Sequence, residues 1–527
     1  MKKYRTANEA HVGGVRALIA GLGTTLTLIM AAQADTFTDA GPGGGNVIFI
    51  HPDGTGLNHW NAARMYWKGP DGILAWDGLP EMAVYRGHMA DQLTATSNGG
   101  ATVHAFGFKV QGSDSYGKDS GRPIFALSGF PGSIMRQAAS KGHPVGVIND
   151  GDAAEPGTGA FLAEVDSRDE ANEVARQILE GRPGFSDPDP VIVLGGGERF
   201  FLPEGTPRCE TEVTPKCAVH FDPLDRKGPA REDGRNLIQE AIADQWIVIR
   251  TRDEFAALSN KLQSDARYAP KVLGLFAADD IFNDEPEEVL FKAGMVDESR
   301  AASDRRKRLI IWGDKAGRPG FNPPTAAEMT ALALTVLERR SRQVERPFLL
   351  VTEIESPDNL GNTNNAIGTL RAINRADEVI DVARKFQEQS PRTLILTVAD
   401  SDAGGLQVES PPPVDDAGNV TANDVNPTGA DEANVRSPRD GVAGRRTQPL
   451  LSAPDARGQA LPFAVAWIGK SDVAGAILSR AQGLNAHYLR QSFFGHFDNT
   501  DVYRLMYLTL FGVPLPPAKG QLAPDRP

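Results

Sequence analysis

The chain has 527 residues, 40% of them hydrophobic and 23% charged, with 55 glycines and 37 prolines, which is a globular composition with a sizeable core and many loops. Its formal net charge is −13. An acidic surface repels nucleic acid and counts against such a partner, but it does not exclude an anionic substrate met by local cations.

At the N-terminus, Lys2, Lys3, Arg5 and Arg16 lead into the apolar run "ALIAGLGTTLTLIMAAQA", which ends in Ala32-Gln33-Ala34. This reads as a secretory signal over residues 1–34, cleaved before Asp35. The alternative is a membrane anchor, which the two glycines and three threonines of the run disfavour. Residues 1–34 carry four basic residues and one acid, so the remainder has a net charge of −16. No later stretch is long and apolar enough to span a bilayer, so a periplasmic or secreted protein with no membrane contact after cleavage is expected.

"NVIFIH" (46–51) is a short apolar run stopped by Pro52-Asp53-Gly54, the pattern of a buried strand ending in a turn. "LTATSNGGATVHAFG" (93–107) reads as a helix start with the bulk removed after Ser97. A serine there is either a helix cap or a hydroxyl facing an anion, where free N–H groups and the helix dipole favour negative charge. Cys209 and Cys217 are the two cysteines of the chain. In an exported protein this close pair most simply closes a small surface disulfide, the alternative being two free thiols.

Further strands are expected at 191–197, 348–355 and 393–400, with amphipathic helices at 234–242, 326–343 and 372–389. The alternation predicts an α/β fold: a large, mostly parallel central sheet with helices on both faces. Residues 35–527 are then read either as a single large catalytic domain or as two or three ordinary ones. A charged insertion at about 282–320 and a Pro/Gly/Asp/Asn-rich insertion at about 405–460, a surface flap or cap, interrupt this stretch.

Function in such sheets gathers at the carboxyl ends of strands. Three of the four expected strands end in carboxylates: Asp53, Glu353 with Glu355, and Asp400. Each alone suits a turn or cap; converged on one sheet edge, they suit a metal site. "EIESPDNLGNTNNA" (353–366) reads as a polar loop that must hydrogen-bond or bind an ion, or else cap the next helix.

Residues 46–515 resemble the alkaline phosphatase family. The resemblance rests on "NVIFIHPDGTG", "TSNGGATVHAFGFK", "VDSR" (165–168), "VIVLGGGERFFLP", "DGRNLI", "LGLFA", "PTAAEMT", "EIESPDN", "TVAD" and "DNTD" (498–501), in the family's order. It implies that Ser97 is a nucleophile forming a phosphoserine and that Arg168 clamps phosphate bidentately. It also implies that Asp53 bridges two metals, that Glu353 holds a magnesium-type site, and that Asp358 and Asp400 hold the two catalytic metals. Glu155 aligns with the first residue of the magnesium-site segment, and Thr158 replaces its Thr after a one-residue slip. Members often form homodimers, which makes a second copy a candidate partner.

The chain departs from the family at its metal-binding histidines. The Glu-x4-Asp-x3-His loop ends in Asn362, the Asp-His pair is Asp400-Ser401, and the third histidine aligns near Ala456, beside Asp455. No histidine lies between residues 221 and 486. Thr96 stands where the family has an Asp before the nucleophile, and is the reserve nucleophile. A set of Asp53, Glu155, Glu353, Asp358, Asn362, Asp400 and one of Asp402 or Asp455 is nearly all oxygen. Magnesium-, calcium- or manganese-type ions are therefore favoured, with zinc admitted at one position. His51 and His104 flank the site in sequence and are expected to pack locally.

The expected function is an exported, metal-dependent phosphatase acting on small phosphate monoesters. The alternatives are a phosphodiesterase of the same superfamily and a non-catalytic relative that binds metal or phosphate.

Overall fold

The computed structural model describes residues 44–221, 227–297, 299, 309–313, 322–410, 439–440, 450–491 and 496–518. The signal segment 1–34, part of the 282–320 insertion and most of the 405–460 insertion lie outside the described residues.

Ten strands form one sheet in the order β16-β2-β15-β10-β1-β9-β5-β6-β8-β7. In chain order these are β1 (Asn46–Pro52), β2 (Glu81–Arg86), β5 (Val145–Asp152), β6 (Ile192–Gly196), β7 (Trp246–Ile249), β8 (Lys271–Leu275), β9 (Leu349–Ile354), β10 (Thr393–Thr397), β15 (Leu478–Gly483) and β16 (His496–Asp498). The run from β10 to β7 is parallel throughout, and β15 joins its edge antiparallel to β10. A two-residue hairpin, β3 (Lys118–Asp119) with β4 (Arg122–Pro123), stands apart. So does a small sheet of β11 (Gln407–Glu409), β12 (Arg439–Asp440), β13 (Leu450–Leu451) and β14 (Pro462–Ala466).

The central strands read as continuous apolar runs because both faces are covered. Val47, Phe49, Val351 and Leu396 pack with Val103, Met135, Ile178 and Met506 on one face. Ile48, Ile50, Leu350 and Ile395 pack with Trp60, Met329, Leu337 and Ile380 on the other. Successive side chains of a strand point to opposite faces, so each strand feeds both cores.

All four strands expected from the sequence are present within two or three residues of their predicted ends. The helix expected from 372 begins six residues earlier, at Ala366, where the Asn365 side chain caps it by accepting from Gly368 N. The expected loop after β9 contains a short helix, Ser356–Asn362, with Pro357 in its first turn, where a missing N–H costs nothing. The described part of the 282–320 insertion is not merely a charged excursion. Phe282, Leu290, Met295, Leu309 and Ile311 pack on Leu360 and Ala372 as a small separate core. Cys209 and Cys217 form a disulfide, with Cα atoms 4.9 Å apart. No helix among the described residues is long and apolar enough to cross a membrane.

Candidate metal-binding and phosphoryl-transfer site

The carboxyl ends of β1, β9 and β10 bring three acids together. Asp53 follows β1 directly, and its backbone N–H donates to Ile354 O at 2.9 Å. Asp53, Glu353 and Asp400 are each buried. Burial pushes the Asp53 carboxyl up, but the nearness of Asp400 and of His51 outweighs it and holds Asp53 below the usual carboxylate range. Asp400 carries the complementary shift: burial, then the charge of Asp53, push it well above its ordinary value. Two adjacent acids in low dielectric do not both ionise without a compensating cation.

Ser97 opens the helix Ser97–Phe106. Thr96, not Ser97, is its cap: Thr96 Oγ1 accepts from Gly99 N at 3.1 Å. That bond occupies the hydroxyl suggested as a reserve nucleophile. Ser97 is half-buried, and its hydroxyl has no partner among the described residues. The small residues behind it have a structural reason. A Cβ on Gly100 would lie 2.7 Å from Asp400 Oδ2, so only glycine lets the acid approach this turn.

Asp150 of β5 fixes the corner between β9 and the Ser356–Asn362 helix. Its Oδ1 accepts from Glu355 N at 2.7 Å and its Oδ2 from Ser356 Oγ at 2.6 Å. Glu355 and Asp358 are thereby presented beside Asp53, and one carboxylate oxygen of each lies within 4.8 Å of the others. Burial pushes both Glu355 and Asp358 well up, reinforced by Glu155 for Glu355 and by Asp472 for Asp358.

Asn362, expected as an oxygen ligand, has its amide oxygen engaged by the backbone. Its Oδ1 accepts from Gly404 N at 2.9 Å. Its NH2 therefore faces the acids, donating to both Asp358 oxygens at 3.2 Å and to Asp472 Oδ1 at 2.9 Å. Asp472, which sequence reasoning missed, stands where Asp455 was expected, and the Ser401 hydroxyl interacts with it. Asp455 lies in a surface turn, bonded to Arg457 at 2.8 Å and to Gln459 N at 2.8 Å. Asp402 is buried elsewhere, against His59 Nδ1 at 3.3 Å.

Glu155 sits in a second group of acids that could hold a cation. Its Oε2 accepts from Arg168 Nη2 at 3.0 Å, and it groups with Asp152 and Asp280 rather than with Asp53. Arg168 is partly exposed, and although burial disfavours its charge, Glu155 and Glu355 hold it firmly cationic. Thr158 is buried beside Glu353, both of them held by Asn149 Nδ2, at 3.0 Å and 2.5 Å. His104 packs locally as expected, its Nε2 2.7 Å from Tyr85 OH. His51 does not only pack: its Nε2 faces Asp53 at 3.4 Å. Glu355 was visible as a strand-end acid, and the same logic applied to the loop after β14 would have found Asp472.

These residues fit divalent cations. Asp53 Oδ2, Glu353 Oε1, Glu355 Oε2 and both Asp400 oxygens are buried with no hydrogen-bond partner among the described residues. Buried, unpaired carboxylate oxygens are costly unless protonated or bound to a cation, and an all-oxygen set suits hard ions.

Comparison with known proteins agrees with this geometry. A sequence model of the family "Alkaline phosphatase" matches residues 45–426. The chain is 28% identical over 388 residues to the streptomycin-6-phosphate phosphatase of Streptomyces griseus, covering 71% of this chain and 78% of that one. It is 25% identical over 414 residues to the repressible alkaline phosphatase of Saccharomyces cerevisiae, covering 77% of this chain and 63% of the yeast protein, so the match spans less than two thirds of that relative. The fold matches the alkaline phosphatase of Thermus thermophilus with a TM-score of 0.58 at 18% identity, over 94% of this chain and 96% of that one. It matches that of the Antarctic bacterium TAB5 with a TM-score of 0.57 at 16% identity, over 89% and 98%. The chain belongs to the alkaline phosphatase family.

Proposed function

We propose that the protein is an exported, metal-dependent phosphatase that hydrolyses small phosphate monoesters through a phosphoserine at Ser97. The observation that carries this reading is the placement of Ser97: an unpartnered hydroxyl at a helix start, one turn from the contact between Gly100 and Asp400. Asp53, Glu353, Glu355, Asp358 and Asp400 would hold the divalent cations, with Thr158, Ser401 and Asp472 close by. Bound cations supply charge neutralisation of the phosphoryl group and of the departing oxygen.

Ser97 Oγ forms the bond to phosphorus and the ester alcohol departs. Water then displaces the serine and phosphate is released. The free N–H groups of the first helical turn favour the negative charge that gathers beside Ser97. Arg168 pairs with two phosphate oxygens, and Glu155 holds the guanidinium in place between turnovers. Asn362 neutralises the crowding of Asp358 against Asp472 without occupying a ligand position.

The test compares an aryl phosphate monoester with the corresponding diester, for the native chain and for Ser97→Ala, with magnesium, manganese or zinc supplied. Monoester turnover that exceeds diester turnover and disappears in Ser97→Ala supports the reading. Near-native turnover by Ser97→Ala overturns it.

A further inference from the structure

We infer that His51 is a nitrogen ligand of a divalent cation held between Asp53 and Glu353. This rests on the proposed reading that the site holds divalent cations, and concerns a side chain two residues ahead of Asp53, outside the positions where the family's histidines align.

The sheet register sets the geometry. Asn149 of β5, Glu353 of β9 and His51 of β1 are successive register partners. Register partners on neighbouring parallel strands project from the same face, so the three side chains form one row. Asn149 takes one end of Glu353, donating to Oε2 at 2.5 Å, and Glu353 Oε1 is left without a partner. Gly157 closes over that carboxylate so tightly that a Cβ there would overlap it.

His51 meets Glu353 from the other side. Its Nδ1 lies 2.9 Å from Val398 O, and a carbonyl only accepts, so the proton of the neutral ring sits on Nδ1. The lone pair is then on Nε2. That atom belongs to a side chain 1% exposed and has no hydrogen-bond partner. It faces Asp53 Oδ1 at 3.4 Å, too long for a good hydrogen bond and the wrong polarity for a lone pair. A cation between them removes the conflict. One ligand atom from each of His51, Asp53 and Glu353 lies within 4.8 Å of the others. A ring whose second nitrogen donates to a backbone carbonyl is also the usual outer-shell arrangement of a metal-bound histidine. His104 provides the contrast, because its Nε2 is already taken by Tyr85 OH at 2.7 Å.

One imidazole among carboxylates changes the preference of this position from magnesium or calcium toward manganese, cobalt or zinc. The experiment has two arms on the full chain. Crystals grown with Mn2+ are examined by anomalous scattering, and Mn2+ affinity is measured by calorimetry for the native chain, His51→Gln and His104→Gln. The expected result is an anomalous peak about 2.1 Å from His51 Nε2. In solution, one class of Mn2+ sites weakens about 10–100-fold in His51→Gln and is unchanged in His104→Gln. A peak held by Asp53 and Glu353 with Nε2 beyond about 3 Å, an ordinary non-bonded separation, overturns the inference and leaves the phosphatase reading intact. No peak near Asp53 and Glu353 overturns this inference and the metal reading together. If His51→Gln does not fold, as judged by its thermal melt, the crystal arm decides.

Discussion

The Asp400 carboxylate lies against the α-carbon of Gly100, one turn into the helix that Ser97 opens. This contact joins the serine to an acid about 300 residues later that also adjoins Asp53. A methyl group on Gly100 would sit 2.7 Å from Asp400 Cβ and Oδ2. Gly100→Ala is therefore expected to displace Asp400 and lower kcat/KM by about tenfold or more, with little change in the melting temperature. An unchanged kcat/KM would show that the approach is incidental.

Arg168 has one bonded carboxylate, Glu155, and an exposed remainder free to meet substrate. Lysine keeps the charge and loses the fork. Arg168→Lys is expected to raise KM and lower kcat/KM by about 10–100-fold, the range for losing one or two charge-assisted hydrogen bonds. Glu155→Gln should have a smaller effect of the same sign, because it only positions the guanidinium. Steady-state kinetics on one aryl phosphate separates the two; equal KM values for Arg168→Lys and the native chain would count against the clamp.

Asn362 holds Asp358 and Asp472 together through three donated hydrogen bonds. Asn362→Ala is expected to destabilise the chain by about 1–3 kcal/mol in denaturant unfolding and to weaken divalent-metal binding. Asn362→Asp should be worse, since it adds a third charge where a donor stood. Stability equal to the native chain in both variants would mean that the acids need no such neutralisation.

The metal-depleted chain should lose stability as pH rises. Glu353, Glu355, Asp358 and Asp400 are all pushed well above their ordinary values, with burial the largest cause in each. Asp402 is pushed up to about 7 by burial and by Asp472. A carboxyl with a raised folded-state pKa binds its proton more tightly when folded. Its stabilising contribution is complete below the unfolded value near 4 and disappears as pH passes the folded value. Among these site carboxyls Asp53 alone has the opposite sign. Melting temperatures of chelator-treated protein should therefore fall between pH 5 and 8, and excess divalent cation should flatten the slope. Asp402→Asn should flatten the part of the slope between about pH 4 and 7. A metal-free melting temperature that rises over this range would contradict the burial account.

The parts of the site legible in the sequence are those where local pattern and position coincide. An apolar run stopped by Pro52-Asp53-Gly54 marks both a buried strand and the acid at its end, and Glu353 and Asp400 follow the same rule. Asp472 was hidden because it leaves a loop after a strand of the small sheet, and its partner Asn362 is 110 positions away. The role of Asn362 depends on which end of its amide Gly404 N engages, a choice made only by tertiary packing. Alignment marked Glu155 as a ligand, but only the folded chain shows that it pairs with Arg168 and groups with Asp152 and Asp280. Likewise, nothing local to His51 reveals that Val398 O fixes its ring.

The most direct test of the central claim is to quench a reaction with a phosphate monoester in acid and locate any covalent phosphate by peptide mass spectrometry. The account predicts phosphate on Ser97 in the native chain and none in Ser97→Ala. Phosphate on Thr96, or steady turnover by Ser97→Ala with no phosphopeptide, would contradict it.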